Sequence, residues 1–226
     1  MNSIIGPQIA VVCSFFATIL LTSCVQNDDA FKAINRDPRE VPFVTTPQIA
    51  VNRMLALCRP SQEDIVLDLG CGDGRIVITA AKQFGCKGIG YDIDPKLIKL
   101  CKENAKRAGV EDLVEFYQQD IFDADLPKDA TIVTMYLYPQ MNLRLLPYLQ
   151  SLAPGKHVVS FRWEMPGVKE TKVEKFETGE KMLPMANIYY FETPLLVDPD
   201  WTPEPKSPEE VDFDKIKDKL KYTPKK

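Results

Sequence analysis

Val66-Leu67-Asp68-Leu69-Gly70-Cys71-Gly72-Asp73-Gly74-Arg75 is the stretch on which the reading of the fold turns. Ile65 to Leu69 reads as a short buried strand, and Arg75 to Phe84 as the helix that follows. A strand that turns through glycines into a helix start makes a nucleotide cradle, because missing Cβ atoms let a ligand approach the backbone. The dinucleotide loop G-x-G-x-x-G would need its third glycine where Arg75 stands. The spacing Gly70-x-Gly72-x-Gly74, preceded by Asp68, favours a nucleoside with a charged amino-acid tail over a pyrophosphate.

Outward from this loop, strands and helices alternate. Further strands are expected at Gly88–Tyr91, Val114–Tyr117, Thr131–Tyr136 and His157–Phe161, with helices at Pro95–Ala108 and Met141–Leu152. Apolar strands at this rhythm predict an α/β fold, a doubly wound and mostly parallel seven-stranded sheet with helices on both faces. Val173–Phe176 and Ile188–Phe191, separated by Glu177–Lys181, supply the last two strands as an antiparallel hairpin at one edge. Ahead of the first strand, Thr46 is expected to cap a helix with Pro47 at its first position, running to Cys58. That segment has two readings: a packing helix, or a cover for the cofactor pocket.

Three acids fall at strand ends: Asp68, Asp92 and Asp120. In a doubly wound sheet each points to the crevice beyond the carboxyl ends of the strands. An acid after the second strand can accept from both hydroxyls of a ribose, and one after the third from an adenine amine. Asp68 and the amides of the glycine loop would meet the ammonium and carboxylate of an amino-acid tail. Together these describe S-adenosylmethionine. Each acid singly has a bland alternative as a helix cap or a solvated loop residue.

On these residues the sequence resembles the Rossmann-like, class I methyltransferases: residues 66–75 look like their first motif, Tyr91-Asp92-Ile93-Asp94-Pro95 like their ribose-binding acid, and Gln119-Asp120-Ile121-Phe122 like their adenine-side acid. The resemblance implies a cofactor site of Asp68, Gly70, Cys71, Gly72, Asp73, Gly74, Asp92, Asp120 and Ile121, with no metal. A narrower resemblance rests on Val41–Pro47, Cys71–Ile78 and Thr131–Pro139 with Asn142 and Leu143. It is to membrane-anchored enzymes that methylate lysines of the adenine nucleotide translocase and of the c ring protein of ATP synthase, and to their bacterial relatives. It implies a protein lysine as acceptor.

The residues after the fourth strand face the methyl group in this fold. Here they are Tyr136-Leu137-Tyr138-Pro139, a departure from the Asn/Asp-Pro-Pro-Tyr motif of many amino-directed methyltransferases. Tyr136 and Tyr138 are the candidate catalytic residues, their aromatic faces able to hold a cationic acceptor, against the alternative of core and surface packing. Trp163 and Glu164 would border the acceptor entrance. His157, the single histidine, starts a strand and reads as structural.

Composition narrows the alternatives. A net charge of −4, with no dense Lys/Arg cluster, gives no footprint for nucleic acid. Six cysteines without C-x-x-C spacing, beside one histidine, argue against a zinc site. Residues 1–25 form an apolar segment ending in Leu21-Thr22-Ser23-Cys24, which resembles a lipobox. Cleaved signal, lipoprotein signal lipidated at Cys24 and retained membrane anchor all compete there. The charges Lys32, Arg36 and Arg39 follow the apolar run, which keeps the downstream domain on the cytoplasmic side. The expected organisation is this segment, a linker at 26–40, a methyltransferase domain at 41–196 and a Pro/Lys/Glu-rich disordered tail at 197–226. Other readings left open are a small-molecule or lipid methyltransferase and a non-catalytic module that only binds the cofactor. An NAD-dependent oxidoreductase is disfavoured by Arg75 and by the acid after the third strand.

Overall fold

A computed structural model describes residues 43–201 of the chain. The apolar segment 1–25, the linker 26–40 and the tail beyond Trp201 lie outside the described residues. Among the described residues, no helix is long and apolar enough to cross a membrane.

The elements are α1 (Gln48–Cys58), β1 (Ile65–Leu69), α2 (Arg75–Phe84), β2 (Lys87–Asp92), α3 (Pro95–Ala108), β3 (Val114–Gln118), β4 (Ile132–Met135), α4 (Pro139–Ser151), β5 (His157–Phe161), β6 (Val168–Lys169), β7 (Lys172–Glu180), β8 (Leu183–Glu192) and β9 (Leu196–Val197). Seven strands form one sheet in the order β3-β2-β1-β4-β5-β8-β7. The first five run parallel, and β8 and β7 close the edge as an antiparallel hairpin. The doubly wound sheet expected from the sequence is therefore present.

Alternation along the strands divides the core into two layers. Val66, Ile132, Val159 and Phe161 pack with α1, α2 and α3 on one face. Leu67, Leu69, Val133, Met135 and Val158 pack with α4 and the β3–β4 connector on the other. Strands buried on both faces need continuous apolar runs, which is why β1 and β4 carry them. Asp68 and Thr134 interrupt those runs opposite each other in the β1–β4 register, so each becomes the other's partner. β2 turns Gly88 and Gly90 toward the first layer; a Cβ at Gly88 would lie 2.9 Å from Val77.

Three local expectations are corrected. Thr46 does not cap α1. Pro47 holds ψ at 141°, so it is itself the boundary residue, and its carbonyl accepts from the amides of Ala50 and Val51. The Glu177–Lys181 loop is instead strand up to Glu180, with the turn at Lys181 and Met182. A register irregularity between Glu177 and Glu180 takes up Gly179, and Thr178 secures it by donating to the Leu183 carbonyl and accepting from the Glu180 amide. Order also continues past residue 196: β9 pairs with β6, and the Trp201 ring lies against Gly167.

Candidate functional site

The parallel register brings the carboxyl ends of β1, β2, β3 and β4 into one row. Asp68 lies level with Gly90 and Thr134, and Asp92 with Gln118. The glycine loop is tied down at its start, where the amides of Gly70 and Cys71 both donate to the Tyr91 carbonyl, at 3.0 and 2.8 Å. The backbone is left-handed at Gly70, Gly72 and Gly74. At Gly72 the requirement is double, because a Cβ there would also run into the Phe43 ring. Phe43 thus lies on the loop, in the segment just before α1.

Arg75 holds that segment. Its Nε and Nη2 grip both oxygens of Asp73 at 2.8 and 2.6 Å, while Nη1 donates to the Thr46 carbonyl at 2.8 Å. A lysine could not reproduce this planar fork. Asn104 on α3 donates to the Asp73 carbonyl at 2.8 Å, fixing the loop from the other side. Beneath the loop, Cys101 Sγ donates to the Gly72 carbonyl at 3.0 Å and stands 3.9 Å from Cys71 Sγ. Contact with Cys101, together with burial, raises the Cys71 thiol well above its ordinary range.

Each acid has its own environment. Asp68 is 2% exposed and accepts from Thr134 Oγ1 at 2.8 Å. Burial pushes its carboxyl up to about 7, with Asp92 and Asp73 adding repulsion and the Thr134 hydroxyl opposing it. Asp92 accepts from the Gly72 amide on one oxygen and the Asp94 amide on the other, both at 2.9 Å. Burial raises Asp92 as well, and those two amides oppose the rise. Asp120 turns the chain after β3 by accepting from the Phe122 amide at 2.9 Å, which leaves Ile121 buried in the second layer.

After β4, Leu137 packs against Gly70, with its Cδ2 3.1 Å from where a Cβ would stand, and Tyr136 and Tyr138 are its neighbours in the chain. The Tyr136 ring meets Phe161 edge-on at 4.8 Å, and its hydroxyl accepts from Arg162 Nη1 at 3.2 Å. Tyr138 is the extended residue just before α4, its ring 5.9 Å from that of Trp163. The turn after β5 is pinned from below: fully buried Asn142 donates to the Glu164 carbonyl at 3.1 Å, and Ser160 Oγ donates to the Trp163 carbonyl. Trp163 therefore stands beside Tyr138, and Arg162 links it to Tyr136. The sequence reading missed Arg75 as a clamp, and it missed Ser160 and Arg162. Only a hydroxyl in an otherwise apolar strand and a charge just past it signal the latter two. His157 lies at the opposite end of the sheet, its Nδ1 2.7 Å from the Tyr190 hydroxyl.

A cavity of about 450 Å³ lies apart from the glycine loop, between the β3–β4 connector and α4, where the Arg144 guanidinium covers the Phe122 ring. Of the candidate site residues it includes Ile121 alone. The other candidate residues stand at the row of strand ends. That row combines an exposed glycine backbone at Gly70, a half-buried carboxylate at the end of β2 and an apolar residue beyond β3. It fits a nucleoside with an amino-acid tail.

The ANTKMT methyltransferase domain model matches residues 68–172. The protein-lysine N-methyltransferase of Saccharolobus islandicus is 43% identical over 141 residues, 62% of this chain and 87% of that protein. The adenine nucleotide translocase lysine N-methyltransferase of Mus musculus is 36% identical over 56% of this chain and 55% of its own length, so the chain spans about half of that relative. Among solved structures, an RNA methyltransferase from Salinibacter ruber in complex with S-adenosyl-L-homocysteine superposes with a TM-score of 0.61. Its identity is 39%, and the match covers 73% of this chain and all of that one.

Proposed function

This chain belongs to the family of the ANTKMT methyltransferase domain, S-adenosylmethionine-dependent methyltransferases, and from that premise we propose that its acceptor is a lysine ε-amine of a protein. The observation that carries the reading is the joining of two loops at one point. The glycine loop and the Tyr136–Pro139 segment touch through Gly70 and Leu137. The same segment carries Tyr136 and Tyr138, whose side chains meet Arg162 and Trp163 from the turn after β5. A reaction without a strong general base needs little else.

When bound, S-adenosylmethionine supplies an electrophilic methyl: the amine lone pair forms the N–C bond, the C–S electron pair stays on sulfur, and the surplus proton leaves to solvent. Asp92 would accept from the ribose hydroxyls, its orientation already set by two amides. Asp120 and Ile121 would border the adenine, and Asp68 with the loop would receive the amino-acid tail. The half-buried Asp73 contact with Arg75 would keep the loop and the Phe43 cover in place. Tyr136, Tyr138 and Trp163 would wall the acceptor channel and exclude water, and alignment of nucleophile with methyl would supply several kcal/mol of the acceleration.

Asp92→Ala is expected to weaken S-adenosylmethionine binding about a hundredfold, ~3 kcal/mol for two hydrogen bonds to a charged group. Calorimetry on the full chain measures it. Unchanged affinity in a folded variant would remove Asp92 from the site. For the acceptor, the full chain is incubated with methyl-tritiated S-adenosylmethionine and with separated proteins, lipids and nucleic acids. Label recovered as methyl-lysine after acid hydrolysis supports the proposal. Label confined to RNA, lipid or a small molecule overturns it, and absence of transfer despite tight cofactor binding supports a non-catalytic module.

The apolar run Ile9–Val25 and the later cations support attachment to a membrane with the domain on the cytoplasmic side, where S-adenosylmethionine is made. Lipidation at Cys24 is the alternative. Metabolic labelling with a lipid analogue in wild type and Cys24→Ala separates them: label that depends on Cys24 is the lipoprotein result, and its absence leaves the anchor.

A further inference from the structure

The turn beyond β5 contains an unusual arginine. Arg162 has φ +69°, a left-handed backbone that a branched or long L-residue adopts only when its surroundings impose it. The surroundings do impose it. The Arg162 amide donates to the Asn187 carbonyl of β8 at 2.8 Å, and the Trp163 amide returns to the Phe161 carbonyl at 2.9 Å. Asn142 and Ser160 hold the next two carbonyls from the α4 side. A glycine would take this conformation without strain, so the side chain is what needs an explanation.

That side chain stands on the aromatic wall. Its guanidinium lies 5.0 Å from the centre of the Trp163 ring and donates to the Tyr136 hydroxyl at 3.2 Å. Among the described residues, no carboxylate pairs with it. The titratable and charged groups on the elements around it include Tyr136 and Tyr138 after β4, Glu164 in its own turn, Tyr189 on β8, and Glu174 and Lys175 on β7, the latter level with Asn187. Glu164 is exposed and its position is set through its backbone carbonyl. The wall of Tyr136 and Trp163 therefore already carries a fixed, uncompensated cation. It is not a free aromatic box for a second one.

We propose that Arg162 is a specificity-determining residue of the acceptor site: its fixed positive charge bars the ammonium form of the acceptor and admits the neutral amine. The proposal rests on the reading of the acceptor as a lysine amine. An unperturbed lysine loses its proton only near pH ~10.4, and a like charge nearby disfavours the charged form. Crowding by an adjacent cation makes an amine nucleophilic at neutral pH. Arg162 performs this without touching the methyl group.

The test uses the full chain with methyl-tritiated S-adenosylmethionine and poly-L-lysine as the acceptor probe, reading kcat across pH for wild type, Arg162→Gly and Arg162→Lys. Arg162→Gly relieves the strained backbone, so its melting temperature should equal or exceed that of wild type and its cofactor affinity should be unchanged. Its kcat should nonetheless be about tenfold lower at pH 7.5, with the acidic limb of the profile moved about one pH unit higher. Arg162→Lys, which keeps the charge, should leave the limb near its wild-type position. Coincident limbs in wild type and Arg162→Gly, with methyl-lysine formed by both, would overturn the proposal and leave the lysine reading standing. Poly-L-lysine left unmethylated by wild type at every pH, while cofactor binding is intact, would overturn the lysine reading and the proposal together.

Discussion

Stability of the folded chain is expected to fall by up to ~4 kcal/mol as pH rises from about 4 past 7 on account of Asp68 alone. The carboxyl is held at about 7 in the fold against an ordinary 3.8, with burial as the main cause. A raised carboxyl binds its proton more tightly when folded than when unfolded. Its stabilising contribution is therefore complete below pH 4 and is lost as pH climbs through 7. Asp64, half-buried, is lowered despite burial because its Ser61 hydrogen bonds outweigh it; it has the opposite sign, so the total curve mixes the two. Subtraction isolates Asp68. Asp68→Asn keeps an oxygen for the Thr134 hydroxyl and has no charge to desolvate, so urea unfolding should show its advantage over wild type growing steadily between pH 4 and 7. A constant difference across that range would mean that Asp68 is already ionised in the free protein. The cationic tail of the cofactor should pull the same proton off, so affinity for S-adenosylmethionine should rise with pH toward 7 in wild type and lose that rise in Asp68→Asn.

Gly90→Val should cost about 3 kcal/mol, or roughly 6–12 °C in melting temperature for a domain of this size. It should also weaken the cofactor beyond what the lost stability explains. Gly90 sits in ordinary strand conformation, so the reason is space and not backbone freedom. A Cβ there would lie 2.8 Å from Phe116 and 2.9 Å from both Cβ and Sγ of Cys71. Phe116 has little room to retreat, because its far edge already occupies the space over Gly74 that a side chain there would fill. The remaining way out is to lift Cys71, and with it the loop whose amides at Gly70 and Cys71 are bonded to the Tyr91 carbonyl. Phe116→Leu in the same chain should recover part of both losses. Additive effects of the two substitutions would show that the contact is not the cause.

The glycine and strand pattern made most of the framework legible. β1, α2, α3 and β5 begin and end where the periodicity of Ile65–Leu69, Arg75–Phe84, Pro95–Ala108 and His157–Phe161 placed them. Each is bounded by a residue with one strong preference, such as Gly85 and Gly109 in left-handed conformation after α2 and α3, or Asp94 accepting from the Lys96 amide before α3. The hairpin was legible as a pair but not in extent, since a bulge at Gly179 carries strand through residues whose composition reads as loop.

What the sequence by itself determined is local: where the chain alternates, where it turns, and which acids close the first three strands. These depend on a residue and its near neighbours, through backbone preference and the period of burial. The tertiary structure alone decided what depends on residues distant in the chain. It drew the Thr46 carbonyl to Arg75 in place of a helix cap, and it made Gly90 necessary by laying Cys71 and Phe116 across it. It set Asn142 under the Glu164 carbonyl and turned Arg162 through a left-handed backbone onto Tyr136. A buried polar group or a strained torsion is stable only when partners from elsewhere are brought to it, and no window of sequence contains those partners.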